Sequence, residues 1–261
     1  MTVRLSTGLR NYALNYGSVK NAIENGKTYW YSGAQPSSAD AAPTGTLLNT
    51  FTAAAGTHTA EVVPYGSVEL TGGASGSIDA LTVNSVSIID NAVDYDTDLA
   101  TTATNLAAEI NRTQSSPNYR AVIDSGNDQK VIIYAMRGVG SGANTYAVAT
   151  TVTTITKTDT AFANGVDAVN GIKYDVAASG VITLASTPSV QGVASNDGVA
   201  GWMRIVGPVA DSLAADTTAS QIRIDLSIAT SGADLNLANG TTVTSGATDT
   251  ISSITITLPA S

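Results

Sequence analysis

The sequence predicts a mainly β protein, and three observations carry that prediction. Charged residues make up only 13% of a 261-residue chain whose apolar share is 43%, whereas soluble domains carry about 25% charged residues. Thr, Ser, Ala, Gly and Asn fill the difference. Thr and Val branch at Cβ and fit a pleated surface, while Gly and Asn accept turn dihedrals. Several short runs also alternate apolar and polar residues. The clearest is "QIRIDLSI", where Ile222, Ile224, Leu226 and Ile228 alternate with Gln221, Arg223, Asp225 and Ser227, the pattern of a half-buried strand.

Between Leu5 and Asn25 two short helical patterns stand first. In "SVKNAIENG", Ser18 is an N-cap, Val19, Ala22 and Ile23 share a face, and Gly26 is the expected stop. Tyr29 to Tyr31 form an aromatic strand. Pro36 and Pro43 keep "AQPSSADAAPTG" irregular, and "GTLLNTFT" resumes the strand pattern. From Tyr65 strands are expected over Val68–Leu70 and Ile78–Val83, with an Asn84-Ser85 turn into Val86–Ile89. A helix near 97–112 follows, capped by Asp96 or Thr97, because Leu99, Ala103, Leu106 and Ile110 recur at the helical period. "RAVIDSG" and "KVIIYAM" read as strands joined at Ser125–Asp128. "TYAVATTVTTITKTD" reads as further β texture with Val148, Val152 and Ile155 inward. Residues from Ser67 to about Gly165 thus form a compact β-rich domain with one helix. Two short strands around Gly180, the strand "AGWMRIVG", the alternating run above and "TDTISSITITLP" complete the chain. In the last, Ile251, Ile254, Ile256 and Leu258 face inward past a bulge at Ser252-Ser253.

Composition excludes several function classes. Twelve basic against twenty-one acidic residues give a formal charge of −9 without an Arg/Lys block, so direct nucleic-acid binding, which needs a concentrated positive face, is not expected. The absence of cysteine removes disulfides, thiolate ligands and a Cys nucleophile. No segment approaches the roughly 20 apolar residues needed to span a bilayer, and "MTVRLSTGLRNYALNYGS" has no continuous apolar run. The chain reads as a mature soluble protein without an export signal and without membrane insertion.

No motif points to catalysis or a cofactor. Asp234 and Asn236 offer oxygens, but the calcium-loop spacing with its twelfth-position glutamate is missing. Asp234, Asn236 and Asn239 are better explained as turn residues bonding their own backbone, with Leu235 and Leu237 pointing together toward a core. Of Asp90, Asp94, Asp96 and Asp98, the last two suit the positive end of the helix dipole. His58 is the one histidine, and no G-x-S-x-G elbow accompanies it. "GVGSGAN", Gly138 to Asn144, lacks a Walker A lysine. No catalytic, cofactor or metal residue is assigned. Aromatics gather at Tyr12, Tyr16, Tyr29, Trp30, Tyr31 and Trp202, which suits a core edge or a protein interface. Arg223 and Asp225, two apart on one strand face, fit cross-strand pairing or a charged rim at a subunit contact. These eight residues are the candidate assembly contacts.

The stretch "LRNYALNYGSVKNAIENGKTYWYSGAQPSSADAAPTGTLL" resembles the N-terminal part of a group of tailed-bacteriophage virion structural proteins, through Tyr31, Ser32, Gly33, Gln35, Pro36, Ala39, Asp40 and Thr44 to Leu48. "AGWMRIVG", "IRIDLSI", "TSGADLNL" and "ISSITITLP" resemble the same group's terminal part, through Trp202, Arg204, Arg223, Asp225, Gly232, Asp234 and Leu237. The intervening "SIDALTVNSVSIID", "LATTATNLAAEIN", "SSPNYRAV" and "TAFANGVDA" resemble a separate module inserted in various phage virion proteins.

The resemblance implies a discontinuous β-sandwich or jelly-roll-like outer domain, residues 1–64 and 166–261, interrupted by a smaller α+β insert, residues 65–165. It also implies a place in a virion rather than a reaction: assembly in the host cytoplasm, then an extracellular particle. The expected partners are other virion proteins, either the major capsid protein or neighbouring copies of this chain, in a capsid-decoration or minor head role. The alternatives are a tail or fibre-associated protein whose insert binds a host-surface glycan or protein, and a glycan-degrading enzyme.

Overall fold

Residues 3–237 and 240–257 are described by the computed structural model, in which strands greatly outnumber helices. Internal contacts divide the chain into two units. One runs to Glu61 and resumes at Ala168; the other comprises Val62–Asp167.

The first unit begins with β1 (Arg4–Leu5), α1 (Thr7–Asn15) and α2 (Val19–Ile23). Each helix starts at a serine whose Oγ accepts an otherwise orphaned N–H: Ser6 from Leu9 and Ser18 from Asn21. Gly26 is not what stops α2. Glu24 is the C-cap and Asn25 takes the left-handed conformation at φ 63°, which a short polar side chain tolerates. Gly26 serves a different need, since a Cβ there would collide with the Val206 carbonyl. The strands β2 (Lys27–Ser32) and β3 (Leu47–Ala53) follow, separated by the proline-containing loop.

The second unit holds β4 (Tyr65–Gly72), β5 (Ser77–Val83), β6 (Val86–Ser87), β7 (Val93–Asp94), α3 (Leu99–Arg112), β8 (Arg120–Asp124), β9 (Asn127–Tyr134), β10 (Val148–Thr153) and β11 (Thr156–Ala163). One sheet has the order β11-β4-β9-β8, and a second has β10-β5-β6 with β7 also on β5. α3 packs on β8 and β9 and places Leu106 and Ile110 in a core with Leu70, Leu81, Val131, Ile133 and Phe162. Its N-cap is Asp98, whose carboxylate accepts the Thr101 N–H at 2.7 Å, rather than Asp96 or Thr97. Asn84 and Ser85, both at positive φ, make the expected tight turn. Thr154, at φ 66°, folds the run from Tyr146 into two strands, β10 and β11.

The first unit resumes with β12 (Val181–Thr183), β13 (Val190–Val193), β14 (Gly198–Val206), β15 (Arg223–Ala229), β16 (Leu235–Asn236), β17 (Thr242–Val243), β18 (Thr248–Ile251) and β19 (Thr255–Thr257). Its main sheet has the order β1-β15-β14-β2-β3-β13-β18, with β16 on β15 and β17 on β14. Several expectations change here. Of the two short strands expected around Gly180, only β12, which follows it, forms. The final run is not one bulged strand: at Ser252-Ser253 it leaves β18, and β19 pairs instead with β12. β15 is not half-buried, because Arg223, Ile224, Asp225 and Leu226 are all buried. Leu235 and Leu237 are only half-buried, and Asn239 and Leu258 lie outside the described residues. Among the described residues no helix is long and apolar enough to cross a membrane.

Candidate functional site

Strand alternation sorts β2, β14 and β15 into two unlike faces. One carries Trp30, Met203, Ile205, Ile224 and Leu226, all buried. The other carries Tyr29 and Tyr31 beside Trp202 and Arg204, with Arg204 directly opposite Asp225. On this second face Tyr31 stacks on Trp202 with centroids 4.5 Å apart and planes 14° apart, and the Arg204 guanidinium lies 5.4 Å from the Trp202 ring.

Two buried ion pairs complete that face. Arg204 grips Asp225 through Nε and a terminal nitrogen, each at 2.7 Å. Arg223 grips Asp211 in the same way at 2.6 and 2.5 Å. The loop before β3 supplies further acceptors: Thr44 O for Trp202 Nε1 at 3.2 Å, Ala41 O for Arg204 at 3.0 Å, and Ala39 O and Asp40 O for Arg223 at 3.5 Å. Ala214 O accepts from Arg223 as well. Burial sets the proton affinities. It pushes the Tyr29 and Tyr31 hydroxyls up to about 12 and raises the Asp225 carboxyl, against which Arg204 pulls.

Seven of the eight candidate contacts are placed inside the chain. Tyr12, Tyr29, Trp30, Tyr31, Trp202, Arg223 and Asp225 are buried, and Tyr16, the C-cap of α1, is half-buried with its ring 6.4 Å from that of Tyr12. Trp30 faces the opposite way from its neighbours and meets Phe51 at 4.5 Å. Of the two readings of Arg223 and Asp225, cross-strand pairing holds for Asp225 through Arg204 of β14, whereas the exposed rim does not hold, since both are 0% exposed. Alternation with isoleucines suggested a solvent face, but irregular chain from residues 33–46 and 208–221 supplies their partners. Asp211 was missed because nothing local in "PVADSLAAD" signals a long-range ion pair.

Sequence alone also missed an open cleft of about 290 Å³ bordered by Lys27, Thr50, Thr52, Gly56, His58 and Val193. Its rim is the turn after β3, where Ala54 and Ala55 both adopt left-handed backbone, at φ 50° and 54°. The Gly56 N–H closes that turn on Ala53 O, and Thr52 Oγ1 donates to Gly56 O. His58 Nε2 donates to Asn25 O at 3.0 Å, so Nδ1 is the lone-pair nitrogen of its neutral ring. Lys27 Nζ lies 5.3 Å from the Tyr29 ring centroid. Burial lowers the proton affinity of Lys27, with Asp211 opposing, and lowers that of His58, with the Asn25 hydrogen bond opposing.

The acidic segments have local occupations. Asp234 accepts from the N–H and Oγ of Ser227, and Asn236 exchanges hydrogen bonds with Ala233. Asp96 accepts from Thr97 and Asn105. In the glycine loop, the N–H and Oγ of Ser141 both go to Asp167, so a carboxylate of the chain already takes those donors. Among the described residues no three His, Asp or Glu side chains converge to hold a metal ion. Comparison with protein-family models, curated proteins and solved structures finds no match to the chain.

Proposed function

We propose that the chain is a non-enzymatic structural protein of a tailed-bacteriophage virion that decorates or stabilises the capsid, with its discontinuous unit acting as a sandwich- or jelly-roll-like scaffold and residues 62–167 as the insert. One observation carries the reading. The two stretches that resemble virion structural proteins meet on one sheet face: Tyr31 stacks on Trp202, and hydrogen bonds from Trp202 and Arg204 reach Thr44 and Ala41 across 158 and 163 positions of sequence. The resembling residues are thus spent on holding a rigid scaffold together, the property required of a part that carries load and repeats.

In this reading the partners are the major capsid protein or neighbouring copies, and repetition around a symmetric particle converts a weak single contact into lasting attachment. Contact falls to surface residues, because the aromatic and ionic residues are consumed internally. The copy number of the chain in purified particles, relative to the major capsid protein, is the test. Hundreds of copies support decoration of the shell; a few, or a few tens, move the chain to the tail or a fibre; none overturns the virion reading. Release of reducing sugar from host polysaccharide by the purified chain would overturn the non-enzymatic part.

A further inference from the structure

We propose that the cleft bordered by Lys27, Thr50 and His58 binds a small oxyanion, the group shared by phosphate and by the carboxylate of an acidic sugar. The inference does not depend on the virion reading.

The first argument is an unmatched charge. Among the described residues no carboxylate forms an ion pair with Lys27. Asp211, the carboxylate that acts on it from a distance, is already gripped at both oxygens by Arg223. Lys27 is half-buried, and its ammonium lies 5.3 Å from the Tyr29 ring centroid instead of beside an anion, so an arriving oxyanion would restore what burial removed.

The second argument is an excess of unused donors. The N–H groups of Ala55, Thr57 and His58 and the Thr50 hydroxyl have no hydrogen-bond partner among the described residues, and all four residues border the cleft. Gly56 spends its N–H inside the turn, but Thr57 and His58 just after it leave two successive amides unpaired, and successive free amides make anion-binding concavities.

The third is strain. Two consecutive alanines in left-handed backbone are costly for residues with a Cβ, and backbone held in such conformations clusters at ligand sites. A volume of about 290 Å³ lies at the lower edge of the roughly 300–1,000 Å³ typical of small-molecule pockets. It suits one anionic group or one sugar ring rather than a chain of them.

His58 is the single histidine, so its ring resonances report on the cleft without ambiguity in tag-free protein. The experiment titrates sodium phosphate and sodium glucuronate separately at constant ionic strength and pH, with sodium chloride as reference. A saturable shift of the His58 ring signals is expected, weakened about tenfold or more in Lys27→Met and in Thr50→Val. Saturation by phosphate alone assigns the site to a phosphate group, and saturation by glucuronate, alone or as well, to the acidic sugar. Signals that merely follow the chloride reference overturn the proposal. So does an unchanged titration in whichever of the two variants keeps the parental melting temperature.

Discussion

Arg204 and Asp225 face each other across β14 and β15 in a two-pronged ion pair, 2.7 Å at each prong, with neither side chain exposed. Removing both charges from water is expensive, and the two-pronged geometry together with the Ala41 carbonyl, which accepts from the third guanidinium nitrogen, offsets part of that cost. Asp225→Asn leaves the guanidinium without its counter-charge, and a loss of about 3–5 kcal/mol is expected in urea unfolding. The double change Arg204→Met with Asp225→Leu should recover most of that loss. A double change as damaging as the single one would mean the charges contribute net stability.

Ser6 does more than cap α1. Its hydroxyl accepts from the N–H groups of Leu9 and Arg223 and donates to Gln221 O at 2.7 Å, tying the first helix to β15. Ser6→Ala loses the cap and strands buried backbone groups, so destabilisation of about 1–3 kcal/mol is expected. Denaturant midpoints of the two proteins at matched m-values check it.

Ile224 is fully buried on the apolar face of the same sheet. Ile224→Asp places a charge there without a counter-ion, and a loss of more than about 4 kcal/mol is expected, enough to unfold the unit. Far-UV circular dichroism during heating should show no cooperative transition from that unit. An unchanged melt would contradict the burial.

Excision of residues 62–167 should leave a folded protein. The Thr59 N–H donates to Val169 O at 3.1 Å, so the two cut ends start as neighbours within one unit and a short Gly/Ser linker spans them. The excised segment has its own buried core and should melt cooperatively alone. Loss of cooperative melting in the shortened chain would show that the two units depend on each other.

His58 should make stability depend on pH in a definite direction. Its folded proton affinity lies below the ordinary value of 6.5, chiefly through burial, so the unfolded chain binds the proton first as pH falls. Stability is complete above about 6.5, declines as pH drops from there toward the folded value, and then levels off. His58→Gln should flatten that segment of the curve. Urea midpoints measured in buffers without phosphate or carboxylate supply the readout.

Local chemistry made much of the fold readable. α3 follows from four apolar residues at helical spacing, the two serine caps from hydroxyls preceding short amphipathic runs, and the hairpin at Asn84-Ser85 from a residue at ease with positive φ. Other features lacked a local signal. Thr154 is β-branched and an unexpected choice for left-handed backbone, so the β10–β11 turn was hidden inside continuous strand texture. Arg223 and Asp225 read as a solvent face because alternation reports only that two faces differ. Which one meets water was decided by Asp211 and by carbonyls at residues 39–44, contacts no neighbouring residue announces. The cleft was invisible for the same reason: Lys27, Thr50 and His58 become neighbours only after β2 and β3 pair.

The opposition of Arg204 and Asp225 also limits how the chain can go wrong while folding. Sliding β15 past β14 by one residue would turn Asp225 to the apolar side and bring an isoleucine or leucine opposite the guanidinium, and it would turn Arg223 away from Asp211 as well. β15 is buried on both faces over Arg223 to Leu226, so no solvent side rejects such a slip and burial alone does not fix the alignment. Here the two salt-bridged couples of β15 act as a key that fits one alignment.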